Sequence, residues 1–404
     1  METPQHVAGN GSSHMNDLSS IRSLRILHLL SHVSPGRRYG GPNTVALTQA
    51  EGLIERGHDV MVAAGSNDYP LGRTTIGNVP AMLFPSRPLL PGSFGARIAP
   101  GLSRWVRQKS GQFDIVHIHL ARDLSVLPAA TRVHVPATVQ PHGMLAAASD
   151  PLRRAVDTAL VRRVMANAGM GIALNESEAR VLNESFGMVD VEVLPNAVAV
   201  ATVRRRNIAG GDLNILFLAR LHARKRPMLF AQAAVELARR GLTARYTIVG
   251  PDEGEARHVR DIIASAPAVD IRLTGPATAA EVADCFAAAD IYVLPARGEP
   301  FGLTMLESLS AGTPVIADRD SPLGRQLAGL GLARLFDGTV EGLVDAIAAL
   351  ASDRSARSEI ARIGPDIVQR HWGVGGMIRK LEKVYERTLE ERKHLLGRRS
   401  GEAS

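Results

Sequence analysis

The feature that most restricts the fold is an alternation, run through twice, of short apolar runs with glycine- or proline-bearing loops and helical stretches. The first half carries Leu24-Arg-Ile-Leu-His-Leu-Leu30, His58-Asp-Val-Met-Val-Ala-Ala64, Asp114-Ile-Val-His-Ile-His-Leu120, Ala137-Thr-Val-Gln140, Met170-Gly-Ile-Ala-Leu174 and Val191-Glu-Val-Leu194. The second restarts with Asn214-Ile-Leu-Phe-Leu-Ala219 and continues through Arg245-Tyr-Thr-Ile-Val-Gly250, Ile271-Arg-Leu-Thr274, Ile291-Tyr-Val-Leu294 and Val315-Ile-Ala317. Near-continuous apolar strands are those covered on both faces, and parallel strands need helical crossovers. The alternation therefore predicts α/β layers with parallel sheets and helices on both faces. Around Ala201-Thr-Val-Arg-Arg-Arg-Asn-Ile-Ala-Gly-Gly211 the periodicity lapses into charge and glycine, which marks an interdomain linker.

Composition narrows the function. The chain has 404 residues, enough for two or three domains, and is 45% hydrophobic but only 4% aromatic, which suits tightly packed α/β layers. No apolar run approaches the length of a membrane span, and the N-terminus lacks the pattern of a secretory signal, so a cytoplasmic location is expected. The single cysteine, Cys285, cannot form an intrachain disulfide or a thiolate zinc site and is expected to be a small buried apolar residue. The net charge is +7, and no acidic residue falls between Asp68 and Asp114, where Arg73, Arg87, Arg97, Arg104, Arg107 and Lys109 interleave with Trp105 and leucines. Such a face suits peripheral contact with an anionic membrane or a pyrophosphate-bearing lipid, beside the plainer reading of solvated charges around a core helix. Nucleic acid is not expected, because no recognition motif accompanies the modest charge excess. Neither half carries a Gly-x-Gly-x-x-Gly or a Gly-x4-Gly-Lys-Ser/Thr loop, which argues against dinucleotide oxidoreductases and phosphate-transferring NTPases.

Four loops at strand ends carry the candidate chemistry. Arg297-Gly-Glu-Pro-Phe-Gly-Leu-Thr-Met-Leu-Glu307 places a glycine-containing loop between a strand and a helix beginning near Leu303. The amides of Phe301, Gly302, Leu303 and Thr304 can then cradle a phosphate, while Glu299 and Glu307 can accept sugar hydroxyls. Arg220 and Lys225 follow the first strand of the second half and can neutralise a diphosphate leaving group. Gly40-Gly41 lies in a loop that permits close backbone approach to a ligand. His117-Ile-His119 puts two imidazoles on one face of a strand, with no third metal ligand apparent nearby, and His142 stands at another loop end. Asp318-Arg319-Asp320 follows a strand and reads as loop chemistry, so no metal is expected.

These phrases resemble family-four retaining glycosyltransferases, the glycosyl transferases group one, whose signature includes two glutamates separated by seven residues. The following Ser310-Ala-Gly-Thr-Pro-Val-Ile-Ala317 and the Arg-Leu…Lys of Arg220 to Lys225 fit the same pattern, with Ala219 in place of its glycine. The resemblance implies the GT-B architecture: two facing Rossmann-like domains with parallel sheets and a C-terminal helix crossing back to the first. The expected organisation is a disordered tail over 1–21, an acceptor-side domain over 22–203, a donor domain over 204–374 and the crossing helix over 375–396. It implies a nucleotide-sugar donor of UDP, GDP or ADP type, no other cofactor, and a glycan, lipid-linked or small-molecule acceptor. Glu307 would hold the ribose hydroxyls and Glu299 those of the transferred sugar, with Arg220 and Lys225 on the diphosphate. His119 would lie near that sugar, Gly40 and Gly41 by the donor, and His117 would be structural. Departures exist: Ser321-Pro322 and Arg325 stand where the family has paired glycines and a glutamate, and Ala197 follows Pro195-Asn196 in place of glycine. Two other classes stay open, a nucleotide-sugar epimerase or phosphorylase on the same architecture and a catalytically silent sugar-nucleotide binder.

Overall fold

The computed structural model describes residues 22–35, 41–88, 97–145, 151–199 and 213–401. The expected disordered tail, Gly40 and the linker around 201–211 lie outside the described residues. The first sheet contains β1 (Arg25–His32), β2 (Asp59–Ser66), β3 (Gly72–Ile76) and β4 (Val79–Pro85). A two-stranded ribbon, β5 (Arg87–Pro88) and β6 (Arg97–Ile98), intervenes before β7 (Ile115–His119), β8 (Ala137–Gln140), β9 (Met170–Ala173) and β10 (Val191–Val193) complete that sheet. Its order is β10-β9-β8-β7-β1-β2-β4-β3. The second sheet has β11 (Leu213–Leu218), β12 (Ala244–Val249), β13 (Ile271–Gly275), β14 (Ile291–Leu294), β15 (Val315–Asp318) and β16 (Ala333–Phe336), in the order β13-β12-β11-β14-β15-β16.

Alternation along each strand sends side chains to two separate cores. Ile26, Leu30, Val60, Val62 and Ile115 pack on one face of the first sheet; Leu27, Leu29, Ala63, Val116 and Ile118 pack on the other. The second sheet divides in the same way, with Leu216, Leu218, Tyr292 and Val315 opposite Ile215, Phe217, Val293 and Ile316. Every pairing in the second sheet is parallel, whereas β3 and β4 of the first pair antiparallel. That edge hairpin is absent from the sequence reading, and it makes the first sheet mixed. A two-residue Gly77-Asn78 turn joins its strands, with Gly77 at φ +60°, and Pro80 and Pro85 in β4 mask the strand signal.

The C-terminal helix Val374–Gly401 returns to the first sheet, burying Met377, Ile378, Leu381, Val384 and Tyr385 in that core. It packs against the helix Gly41–Glu55, where Gly52 leaves the space that Ile378 fills; a Cβ at Gly52 would lie 2.7 Å from Ile378 Cγ1. Glu382 fixes its register: its buried Oε1 accepts from Arg56 Nε at 2.8 Å and meets His58 Nε2 at 3.1 Å. Among the described residues, no helix is long and apolar enough to cross a membrane.

Candidate active site

In the second sheet, the loops after β11 and β14 are tied together. Lys225 Nζ bonds Glu299 Oε2, and both side chains are almost buried. Arg297 N donates to the Arg224 carbonyl at 2.9 Å, and the Arg224 guanidinium lies 3.3 Å from the Gly298 carbonyl. Arg220 lies at the mouth of β11 with Nη1 2.9 Å from each carboxylate oxygen of Glu253. Behind this pair, Arg226 binds the Pro295 carbonyl at 2.5 Å, the Gly338 carbonyl at 3.0 Å and Asp318 Oδ2 at 2.5 Å. Asp318, first residue of the Asp-x-Asp triplet, is thus buried in an ion pair. Arg226 is a residue that sequence reasoning missed; its signal was a cation closing the run Arg224-Lys225-Arg226, directly before the first-turn proline of the helix Pro227–Arg239.

The helix Leu303–Ser310 begins at Gly302, whose φ of +89° suits glycine, and no side chain caps its first turn. A Cβ at Gly302 would meet Met305 Cε at 2.5 Å and Glu299 Cγ at 3.4 Å, so the turn requires glycine twice over. The first-turn amides therefore make a candidate anion site, with the dipole aligned toward it. Phe301 is buried in the second core, and Leu303 lies at its edge. The buried Tyr292 hydroxyl donates to the Leu218 carbonyl at 3.1 Å and is hydrogen-bonded to Thr304 Oγ1 at 2.8 Å. Burial first, then the nearby carboxylates Glu307 and Glu299, push the Tyr292 phenol well up, so it stays a neutral donor.

The first domain closes over this site from the ends of β8 and β9. His142 (φ +55°) and Gly143 (φ +75°) take successive left-handed conformations that drive the loop against Pro300. A Cβ at Gly143 would lie 2.3 Å from Pro300 Cβ. Asn175 Nδ2 donates to the Pro300 carbonyl at 3.1 Å. Glu178 then locks the two first-domain loops together, accepting from Gly143 N at 2.5 Å and Leu174 N at 2.8 Å. Burial raises the Glu178 carboxyl, and the two amides oppose that shift. Asn175 and Glu178 were also missed; the readable signal was the N-cap of the helix Glu176–Phe186, where Asn175 accepts from Glu178 N. Gly41, at the start of its helix, has Leu303 Cδ1 3.5 Å from where a Cβ would stand, so this loop also faces the anion site.

Beneath this lid the structure gathers more histidines than the sequence reading allowed. Parallel pairing puts His28 of β1 in register with His117 of β7, on the face that also carries His119. His28 Nδ1 is 2.9 Å from His119 Nε2, and His119 Nδ1 is 2.8 Å from His142 Nε2. His119, expected near the transferred sugar, has both of its ring nitrogens taken by other imidazoles. His117 Nδ1 bonds the Tyr385 hydroxyl at 2.8 Å, in keeping with a structural place. Burial lowers His28 and His142 to about 3 and holds His117 and His119 well below the usual imidazole range, so all four are neutral.

A third imidazole does stand beside His117 and His119, contrary to the sequence reading, and ligand atoms of His28, His117 and His119 lie within 4.8 Å of one another. Their orientation suits hydrogen bonding better than an ion. Ligands at about 2.0–2.1 Å from one ion aim at a common point, whereas His28 and His119 aim nitrogens at each other and the His117 and His119 rings stack 15° from parallel. Cys285 also differs from expectation: it is half-buried beside an apolar cavity of about 340 Å³ lined by Leu216, Thr247 and Ala288, on the second sheet.

Comparison with known proteins places this arrangement. Residues 39–202 match the family described as Glycosyltransferase Family 4, and residues 212–353 match Glycosyl transferases group 1. A D-inositol 3-phosphate glycosyltransferase of Pseudarthrobacter chlorophenolicus is 28% identical over 386 residues, covering 85% of this chain and 90% of that protein. A phosphatidyl-myo-inositol mannosyltransferase of Mycolicibacterium smegmatis is 27% identical over 360 residues, covering 86% and 90%. Among solved structures, sucrose-phosphate synthase from Thermosynechococcus elongatus superposes with a TM-score of 0.70 at 16% identity, over 91% of this chain and 100% of that one. Anabaena HepE in complex with UDP and glucose gives a TM-score of 0.69 at 16% identity, over 90% and 99%. These superpositions establish the GT-B fold.

Proposed function

This chain belongs to glycosyltransferase family 4, the glycosyl transferases group 1, and we propose that it moves a sugar from a nucleoside-diphosphate donor to an acceptor hydroxyl with retention of configuration and without a metal. The observation that carries the reading is the Lys225–Glu299 pair, held beside an uncapped helix start and under the loops of the opposite domain. A cation, a carboxylate and free amides in one sheltered place are what a sugar diphosphate needs.

In the proposed step the bond from the anomeric carbon to the diphosphate oxygen breaks, and its electron pair leaves with the diphosphate. Arg220, Lys225 and the amides from Phe301 to Thr304 stabilise the charge that develops there. The acceptor oxygen bonds the anomeric carbon on the face being vacated, and its proton passes to the departing phosphate oxygen. Glu307 binds the ribose and Glu299 the transferred sugar.

The inositol-phosphate names of the curated relatives support a phosphorylated cyclitol, free or lipid-borne, as acceptor. Arg104, Arg107 and Lys109 all project to solvent from the helix Leu102–Lys109, which supports peripheral contact with an anionic membrane. Sedimentation with neutral and anionic vesicles tests that part, and equal binding to both removes it. For the reaction, thermal shift against UDP, GDP, ADP and their sugar conjugates identifies the donor, since a ligand of the folded state raises its stability. Transfer to inositol phosphate is then assayed with and without excess chelator. Stabilisation by one nucleotide and chelator-resistant transfer are expected. No shift and no turnover with any donor overturns the assignment, and loss of turnover in chelator overturns its metal-free part.

A further inference from the structure

The four buried histidines and Tyr385 form one continuous path. From one end it runs His117 Nδ1 to the Tyr385 hydroxyl (2.8 Å), the hydroxyl to His28 Nε2 (3.5 Å), His28 Nδ1 to His119 Nε2 (2.9 Å) and His119 Nδ1 to His142 Nε2 (2.8 Å). Along this path only the two terminal nitrogens, His117 Nε2 and His142 Nδ1, are buried without a hydrogen-bond partner. A neutral imidazole has one N–H and one bare nitrogen, and a phenol donates once. Every contact along the path is then satisfied in only two ways. Either all four imidazoles carry the proton on Nδ1, or all four carry it on Nε2. In the first case His142 offers an N–H at the cleft end; in the second it offers a lone pair.

The inner end is where the two states are told apart: Gln140, which accepts from Gln49 Nε2 at 3.1 Å, lies beside His117, and whichever tautomer His117 takes propagates through Tyr385 and His28 to His142.

We propose that this wire holds the four imidazoles in one shared tautomer, so that His142 presents a single fixed Nδ1 to a hydroxyl of the sugar substrate, with His28, His117 and Tyr385 as positioning residues that set it from outside the cleft. The assignment to a sugar oxygen rests on the glycosyltransferase reading; the tautomers do not. His142 suits the role because its left-handed backbone, next to the Gly143–Pro300 contact, brings an unpaired buried nitrogen to the junction of the domains. An unmade hydrogen bond there is costly, and a substrate oxygen would supply it.

The test is nitrogen-15 NMR of the full chain with labelled histidine, which distinguishes bare from protonated ring nitrogens without any substrate. Assignments come from single His→Gln variants. The expected result is that His28, His117, His119 and His142 are all neutral and all in the same tautomer, and that UDP-, GDP- or ADP-sugar shifts the His142 Nδ1 signal. Tyr385→Phe keeps the packing but removes the link; it should change the tautomer populations of His28 and His142 and lower kcat about tenfold, the worth of one net hydrogen bond. Mixed or protonated rings, or a Tyr385→Phe variant with unchanged His142 signals, would overturn the wire itself. If the tautomers are as stated but no sugar nucleotide moves the His142 signal, the wire stands and its role toward sugar falls.

Discussion

Mild acid should unfold this protein through its buried imidazoles. His28 and His142 are held near pKa 3 by burial, while in the unfolded chain each returns to about 6.5. A histidine whose folded pKa is depressed contributes stability above its unfolded pKa and loses it as pH falls. With the unfolded state taking up the proton, each such group costs about 2 kcal/mol between pH 7 and pH 5. The two together cost about 4 kcal/mol, a large share of a typical stability of about 5–15 kcal/mol. The result depends little on the folded values as long as they stay below about 4, because the loss in this window is set by the unfolded pKa. His117 and His119 are shifted in the same direction and steepen the loss. Buried Asp123 and Glu178, whose folded pKa values are raised, oppose it by binding protons in the folded state. Carboxylates shifted down by ion pairs, such as Asp114 and Asp270, titrate below this window in both states. Urea melts at pH 7.0, 6.0 and 5.0 measure the slope, and a His28→Asn variant should flatten it by about 1.4 kcal/mol per pH unit below 6. A stability that is flat or rising from pH 7 to 5 would refute the neutral buried cluster.

Lys225→Ala should lower kcat by about 10²–10³-fold, since it removes a charge placed for the leaving diphosphate, and should also lower the melting temperature, since it leaves the almost buried Glu299 without its ion-pair partner; steady-state kinetics and a melt decide it. Gly143→Ala puts a Cβ into Pro300 at a left-handed position; a loss of about 1–2 kcal/mol and a higher donor KM are expected, read by urea melts and kinetics. Glu382→Ala removes the buried acceptor of Arg56 and His58 and should cost about 3 kcal/mol in chemical denaturation. A Glu382→Ala protein as stable as the parent would mean that the crossing helix is held by its apolar face alone.

The parallel sheets were legible because burial on both faces writes near-continuous apolar runs, as in Leu24 to Leu30 and Ile291 to Leu294. The β3–β4 hairpin was not, because an edge strand need not be apolar on both faces and its prolines imitate a loop. At the site, Glu299 and the Gly302 turn share one phrase and Lys225 sits in another, so each could be singled out from its own phrase, but their pairing across 74 residues could not. The histidine cluster is not local: it exists because β1 and β7 pair in register, which no spacing within either strand reveals. A faint signal was present, since His28 interrupts an otherwise apolar strand and a lone polar residue there demands a partner. Asn175 and Glu178 act across the domain boundary, where a sequence offers only an N-cap.

The last described residues of the first domain before the linker touch the end of the helix Arg354–Trp372, where the chain returns to that domain. Val198 N donates to the Trp372 carbonyl at 2.9 Å, and Val198 and Gly373 form a parallel bridge. Two adjacent tethers behave as a single pivot: one domain can swing about that point, but it cannot slide away from the other. Opening of the cleft would then be an angular motion in which the Gly143–Pro300 and Asn175–Pro300 contacts part. Substrate admission would be governed by a few contacts at the mouth, while the pivot and the crossing helix beyond it remain packed.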